Sequence, residues 1–206
     1  MASSVIHMCV AKVINSKLNY DQNMLLLGSI APDISKHIGE TKVNSHFLTD
    51  GNNIDIDRFL NKYKAQLTNP FIMGYFIHLY TDLLWDKYFI SEIVQKGSIK
   101  LLNGDVVENN PEIYKKLIYN DYTNLNVVLL DEYNLDLSLF YEEMTIPDVY
   151  MDEIPIDELS KIVEQTGIII QNTKVSKAYT FRLDDIKPFI DISVSLIYSK
   201  ILEILD

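Results

Sequence analysis

The chain is 206 residues long and combines 48% hydrophobic residues with a formal net charge of −11, from 29 acidic and 18 basic side chains. This length and composition are typical of one globular unit, so we expect a single domain over residues 1–206. The acidity disfavours nucleic acid and anionic membranes as partners, because like charges repel at long range and the sequence holds no cluster of basic residues.

Apolar residues recur at spacings of three and four along the whole chain, which predicts helices and argues against sheets. The region from 97 to 105, which contains two glycines, and the segment 173–180 are expected to be loops. The expected fold class is all-α, a bundle of several helices in one domain. The predicted helices cover 4–18, 21–30, 53–67, 70–96, 110–120, 122–134, 136–144, 156–172 and 184–205.

The sequence contains one cysteine, Cys9, so no intrachain disulfide can form, and we expect a reducing, cytoplasmic location. The first four residues lack the positive charge that opens a secretory signal, and Lys12 interrupts the apolar run that follows. The longest apolar run of the chain is broken by His78 and Asp82, so we expect no stable association with a membrane.

His78 and Asp82 lie within 71–85, a segment that otherwise predicts a buried helix. Residues four apart share one face of a helix, so this imidazole and this carboxylate can bind one cation together. Burying both groups without a partner would cost several kcal/mol, and a zinc-like ion, which accepts both ligand types, offsets that cost. The alternative is that the two side chains bond only to each other inside the core.

Asp33 and His46 lie near the ends of predicted helices. Asp33 follows Pro32, and because proline disfavours helix in the residue before it, we expect Asp33 at the mouth of the core. His46 lies in a short segment between polar stretches, where a histidine is either exposed or directed inward as a ligand. His37 is flanked by polar residues and glycine and is interpreted as exposed, so we leave it out of the site.

His7 lies on an apolar stripe of the first predicted helix, together with residues 10, 14 and 18. A histidine on such a stripe is either a core residue or a metal ligand. With His7 included, the five donors come from predicted helices and from the loop ends beside them, and helical bundles commonly build metal sites from such interior side chains. The five candidate ligands are His7, Asp33, His46, His78 and Asp82.

In order and spacing, these residues resemble the zinc-dependent phospholipase C superfamily, which also includes fungal single-strand nucleases. The resemblance implies an all-α domain that holds up to three zinc ions and hydrolyses phosphoester bonds. It also implies that one zinc is surrounded by Asp33, His46, His78 and Asp82, and that His7 binds a second zinc, with Asp82 bridging the two. The motifs that carry it are His7, Gly28-Ser-Ile-Ala-Pro-Asp33, Ser45-His-Phe47 and Gly74-Tyr-Phe-Ile-His78-Leu-Tyr-Thr-Asp82.

A further zinc site of that family uses two histidines and a glutamate, and this chain has no histidine beyond His78. The resemblance therefore implies two zinc ions, and a third is not expected in its usual form. Asp121, beside Tyr122, is the best candidate for replacing part of the further site. The other interpretation is that Asp121 caps the helix that is predicted to start at Tyr122.

The resemblance predicts a zinc-dependent hydrolase of phosphoester bonds, and the acidic composition favours a small soluble phosphoester as its substrate. In this interpretation Asp33 is the catalytic residue, which orients or deprotonates the attacking water. The alternative is a metal-binding or structural protein that keeps a partial site without turnover, and the missing later histidines favour it. Trp85, near Asp82, is either part of a pocket wall or part of the core.

Overall fold

The computed structural model describes residues 1–205, which are mostly helical, as predicted. Shorter 3-10 turns cover Ala31–His37, Lys64–Gln66, Ser138–Phe140 and Ile156–Glu158, and π-helical turns cover Trp85–Ile90 and Lys115–Tyr119. The α-helices are α1 (Ser4–Leu18), α2 (Gln22–Ile30), α3 (Lys42–Ser45), α4 (Ile56–Tyr63), α5 (Pro70–Leu84), α6 (Ser91–Ile93), α7 (Pro111–Tyr114), α8 (Asn120–Glu132), α9 (Ser160–Gln171) and α10 (Leu183–Leu205).

The prediction that the chain contains no sheet is wrong. Three short strands, β1 (Val94–Gln95), β2 (Ser98–Lys100) and β3 (Val106–Glu108), form an antiparallel sheet in the order β1-β2-β3. Gly97 and Gly104 adopt left-handed backbone angles in the two turns, with φ of 82° and 89°, which is why glycine occurs there. Strands of two or three residues are too short to show an alternating pattern in the sequence.

The helix predicted over 136–144 is also wrong, since only the 3-10 turn Ser138–Phe140 forms there. Asn134 ends the preceding helix region with a left-handed φ of 43°. The Asp136 side chain then accepts a hydrogen bond from the Ser138 backbone N–H at 2.9 Å, which gives the backbone a turn instead of a helix.

Helices α2 and α5 cross in unusually close contact at two glycines. A Cβ added at Gly28 would lie 2.1 Å from the Phe71 carbonyl oxygen, and one added at Gly74 would lie 2.1 Å from the Leu25 carbonyl oxygen. Neither position therefore tolerates a side chain without backbone movement. Because His78 lies one turn beyond Gly74, this crossing brings its imidazole against the end of α2, where Nδ1 lies 2.7 Å from the Ser29 carbonyl oxygen.

The buried apolar residues form one connected core that runs from Ala2 to Ile204. Trp85 belongs to this core: its side chain is fully buried and packs in an aromatic cluster, so it does not line a pocket. Among residues 1–205, no helix is both long enough and apolar enough to cross a bilayer. The aromatic neighbours of Trp85 are Phe89, Tyr122, Phe181 and Phe189.

Candidate metal centre

The structure brings together the five side chains that the sequence indicated as ligands. His7 comes from α1, Asp33 from the 3-10 turn after α2, and His46 from the residue that follows α3. His78 and Asp82 come from α5, one turn apart. All five side chains are buried, and their ligand atoms form two overlapping groups within 4.8 Å, which are His7, His78, Asp82 and Asp33, His46, His78.

The distances between donor atoms match those that a small cation requires. His78 Nε2 lies 3.2 Å from His46 Nε2 and 3.4 Å from Asp82 Oδ2. His46 Nε2 lies 3.7 Å from Asp82 Oδ2 and 3.6 Å from Asp33 Oδ1. Donors bound at about 2.0–2.1 Å to a tetrahedral zinc ion lie roughly 3.3 Å apart, so the side chains are already close to the geometry of a metal site.

Hydrogen bonds behind the two imidazoles fix which nitrogen faces the centre. His78 Nδ1 lies 2.7 Å from the Ser29 carbonyl oxygen, which only accepts, so Nδ1 carries the proton. His46 Nδ1 lies 2.9 Å from Ser45 Oγ, and that hydroxyl donates its own proton to Ser35 Oγ at 3.2 Å. With these tautomers both Nε2 atoms direct lone pairs into the centre, where a positive charge, either an ammonium group or a metal ion, offsets their repulsion.

His7 is not the well-satisfied core histidine that the sequence left as an alternative. Its ring stacks on His78, with centroids 3.8 Å apart and an angle of 14° between the planes. Neither ring nitrogen has a hydrogen-bond partner, and Asp82 Oδ2 also lacks one. His7 Nε2 lies 3.3 Å from Asp82 Oδ1 but is not aligned as a hydrogen bond, and that oxygen accepts from the Ala2 N–H at 2.7 Å. These unpaired atoms fit a metal ion, which would satisfy one His7 nitrogen and the free Asp82 oxygen.

The charge states at neutral pH also suit a divalent cation. Burial lowers the pKa of His7 to about 4, with His78 adding to the effect, and burial likewise lowers the pKa of His46 to about 4. Burial opposes ionisation of both carboxylates. His46 and two nearby lysines nevertheless hold the pKa of Asp33 well below the usual value, and the His7 and His78 rings do the same for the pKa of Asp82. Neutral imidazoles and ionised carboxylates are the forms that bind metal without first losing a proton.

Two lysines that the sequence analysis did not select lie at the outer edge of the centre. The Lys42 ammonium donates to Asp33 Oδ1 at 2.6 Å and lies 3.3 Å from His46 Nε2, and its side chain is only 14% exposed. Lys36 Nζ lies 2.8 Å from the same Asp33 oxygen, with the side chain 45% exposed. Burial lowers the pKa of Lys42 to about 8, although Asp33 opposes the shift. The sequence feature that could have indicated these two lysines is their spacing, since Lys36 lies three residues after Asp33 and Lys42 lies four residues before His46.

Asp121 is not brought to this centre, which corrects its assignment as a candidate ligand. It is buried in the first turn of α8 and does not cap that helix either. Its carboxylate accepts from the backbone N–H groups of Tyr179, Thr180 and Phe181 and from the Thr180 hydroxyl, at 2.6–3.3 Å. Asp121 therefore anchors the segment before α10, and these four donors leave it no role as a metal ligand.

His37 is exposed at the end of its 3-10 turn, as expected, and takes no part in the centre. The residues brought together thus all lie between His7 and Asp82. Comparison of the chain with protein-family models, with curated proteins and with solved structures found no match. The donor atoms and their surroundings are therefore the basis for the function proposed below.

Proposed function

We propose that this protein is a zinc-dependent hydrolase of phosphoester bonds that acts on a small soluble substrate. The observation that carries the proposal is the fully buried group of His7, His78 and Asp82, in which the His7 nitrogens and Asp82 Oδ2 have no hydrogen-bond partner. A buried set of imidazole and carboxylate donors is typical of zinc sites, and catalytic zinc commonly has ligands of these types. The resemblance to the zinc-dependent phospholipase C superfamily supplies the reaction class.

In this proposal His78 and Asp82 hold the ion together with a further histidine, while Asp33 acts at the edge of the centre. Bound zinc would supply Lewis-acid chemistry and lower the pKa of a bound water. Asp33 has a pKa well below its usual value, which makes it a weak base at neutral pH. We therefore assign Asp33 to orienting the attacking water by accepting its hydrogen bond, rather than to removing its proton.

Lys36 supports a phosphorylated substrate despite the negative charge of the chain. Its ammonium lies 2.8 Å from Asp33 Oδ1, and its side chain is 45% exposed. It can therefore reach an anionic group that approaches from solvent, and a lysine binds phosphate as a compact point charge. The local positive charge here is compatible with the acidic composition of the rest of the surface.

The second candidate is a metal-binding or structural protein without turnover. The observation that favours it is the ion pair between Lys42 and Asp33, at 2.6 Å, which occupies the carboxylate that catalysis needs. In that case the centre would bind metal and stabilise the fold, but the edge of the site would stay closed to substrate.

The test combines metal content with turnover. Zinc is counted in the purified protein by elemental analysis, and hydrolysis of p-nitrophenyl phosphate and bis-p-nitrophenyl phosphate is followed with added zinc and with a chelator. His78→Gln serves as the variant without a central ligand, and the exposed His37→Gln as its matched control. We expect zinc-dependent turnover that only His78→Gln abolishes. Bound zinc without turnover on any phosphoester would support the second candidate, and absence of zinc would contradict the proposed hydrolase.

A further inference from the structure

We propose that Lys42 takes the place of a second metal ion in this centre, so that the chain binds one ion although its donors form two groups. The inference rests on the proposed zinc centre and revises the count of two ions that the resemblance implied. It assigns the ion to His7, His78 and Asp82, and the Lys42 ammonium to Asp33 and His46.

His78 is the first reason that the two donor groups are not equivalent. The groups are His7, His78, Asp82 and Asp33, His46, His78, so both include the same imidazole. His78 Nδ1 is committed to the Ser29 carbonyl oxygen at 2.7 Å, which leaves Nε2 with a single lone pair for one ion. A second ion would therefore depend on Asp33 and His46, with water completing its coordination, and it can bind only where these two side chains are free.

The contacts of Lys42 decide which group keeps the ion. Its ammonium lies 2.6 Å from Asp33 Oδ1 and 3.3 Å from His46 Nε2, so it already supplies a positive charge and hydrogen-bond donors to the two unshared members of one group. The unshared members of the other group, His7 and Asp82, have no ammonium partner. Both nitrogens of His7 and Asp82 Oδ2 are buried without a hydrogen bond. A metal ion bound there would satisfy one His7 nitrogen and the free Asp82 oxygen.

Charge balance within the buried centre supports the same assignment. The two carboxylates, Asp33 and Asp82, are opposed by the ammonium groups of Lys36 and Lys42. One divalent ion therefore already makes the centre positive. A second divalent ion beside Asp33 would lie next to two lysines that contact the same oxygen, and such uncompensated buried charge is costly.

The test is the zinc stoichiometry of dialysed protein, measured by native mass spectrometry and by elemental analysis. We expect one zinc per chain for the wild type and two for Lys42→Met, which keeps the length of the side chain and removes its charge. Lys36→Met is the matched control, because Lys36 contacts the same Asp33 oxygen without contacting His46, and it should keep one zinc. The double variant Lys42→Met, Asp33→Asn should return to one, since a neutral amide replaces the ligand that Lys42 had covered.

The other possible zinc counts distinguish failure of this inference from failure of the proposed function. Two zinc ions in the wild type, or one in a folded Lys42→Met, would overturn the inference while leaving the proposed zinc function intact. One zinc bound more tightly in Lys42→Met would mean that Lys42 only competes for a single shared position. No zinc in the wild type would overturn the proposed function itself. If circular dichroism shows that Lys42→Met is unfolded, Lys42→Gln replaces it, and one zinc in a folded Lys42→Gln would overturn the inference.

Discussion

Replacement of His7 by leucine should make the metal-free protein more stable and abolish its response to zinc. An unpaired buried polar group costs about 1–3 kcal/mol, and His7 carries two such nitrogens without a hydrogen-bond partner. Leucine removes both. The lost stacking on His78 and an imperfect fit oppose this gain by about 1–2 kcal/mol. The two nitrogens together cost about 2–6 kcal/mol, so we expect a net increase in the free energy of unfolding of about 2 kcal/mol, within a range of about 0–5 kcal/mol.

The assay is urea unfolding, in chelator and again in excess zinc. At a zinc concentration 100-fold above its dissociation constant, the wild type should gain about 2.7 kcal/mol, because the ion binds only the folded chain. His7→Leu should gain almost nothing, since one of the three donors of its group is lost. His37→Leu is the matched control: this histidine is exposed, so the zinc response should be unchanged.

The reasoning fails if His7→Leu destabilises the metal-free protein and keeps the full zinc response. That result would mean that the 3.3 Å contact between His7 Nε2 and Asp82 Oδ1 is a stabilising ion pair and that His7 is a core residue. If His7→Leu is more stable in chelator but keeps the full zinc response, His7 is not a ligand, and the other proposed ligands are unaffected.

Three further predictions concern the rest of the chain. Gly74→Ala should destabilise the protein by about 1–3 kcal/mol in urea unfolding, because its Cβ would lie 2.1 Å from the Leu25 carbonyl oxygen. Gly167→Ala is the control and should be neutral or stabilising, because the atom nearest to its Cβ would be 3.7 Å away. Asp121→Ala should cost about 3 kcal/mol or more by thermal or urea unfolding while zinc content stays unchanged, because it leaves buried N–H groups unpaired. The metal-free protein should lose stability as pH falls from about 6.5 to 4, because His7 stays neutral in the folded protein over this range but binds a proton in the unfolded chain. The loss in the free energy of unfolding is about 3 kcal/mol for this residue. Urea unfolding of His7→Leu over the same pH range should lack that part of the pH dependence.

The helical fold and the five clustered donors could be predicted because they leave local signals. The i, i+4 spacing places His78 and Asp82 on one face of a helix that is otherwise apolar, and the proline before Asp33 ends a helix at the mouth of the core. The sequence also shows which polar side chains lie within apolar segments. When such a segment is buried, these side chains need a partner, because an unpaired buried polar group is costly. These inferences require only the helical period and the cost of burial.

The remaining features depend on contacts between distant segments. Lys42 is in an exposed-looking polar stretch, and only the return of the chain after the 3-10 turn directs its ammonium to Asp33. Asp121 binds backbone groups 58–60 residues later, which no local pattern could indicate. The small sheet escaped prediction because its strands of two or three residues show no alternation, with Ile99 alone fully buried among them.

The central claim is that the buried histidines and carboxylates bind a zinc ion, and locating that ion in a crystal is its most direct test. Anomalous diffraction at the zinc absorption edge, from crystals grown with zinc, should show a peak about 2.0–2.2 Å from His78 Nε2 and from an Asp82 carboxylate oxygen. The same peak should be absent from His78→Gln crystals grown in the same way. Zinc found only among exposed acidic side chains, with no peak beside His78, would contradict the account.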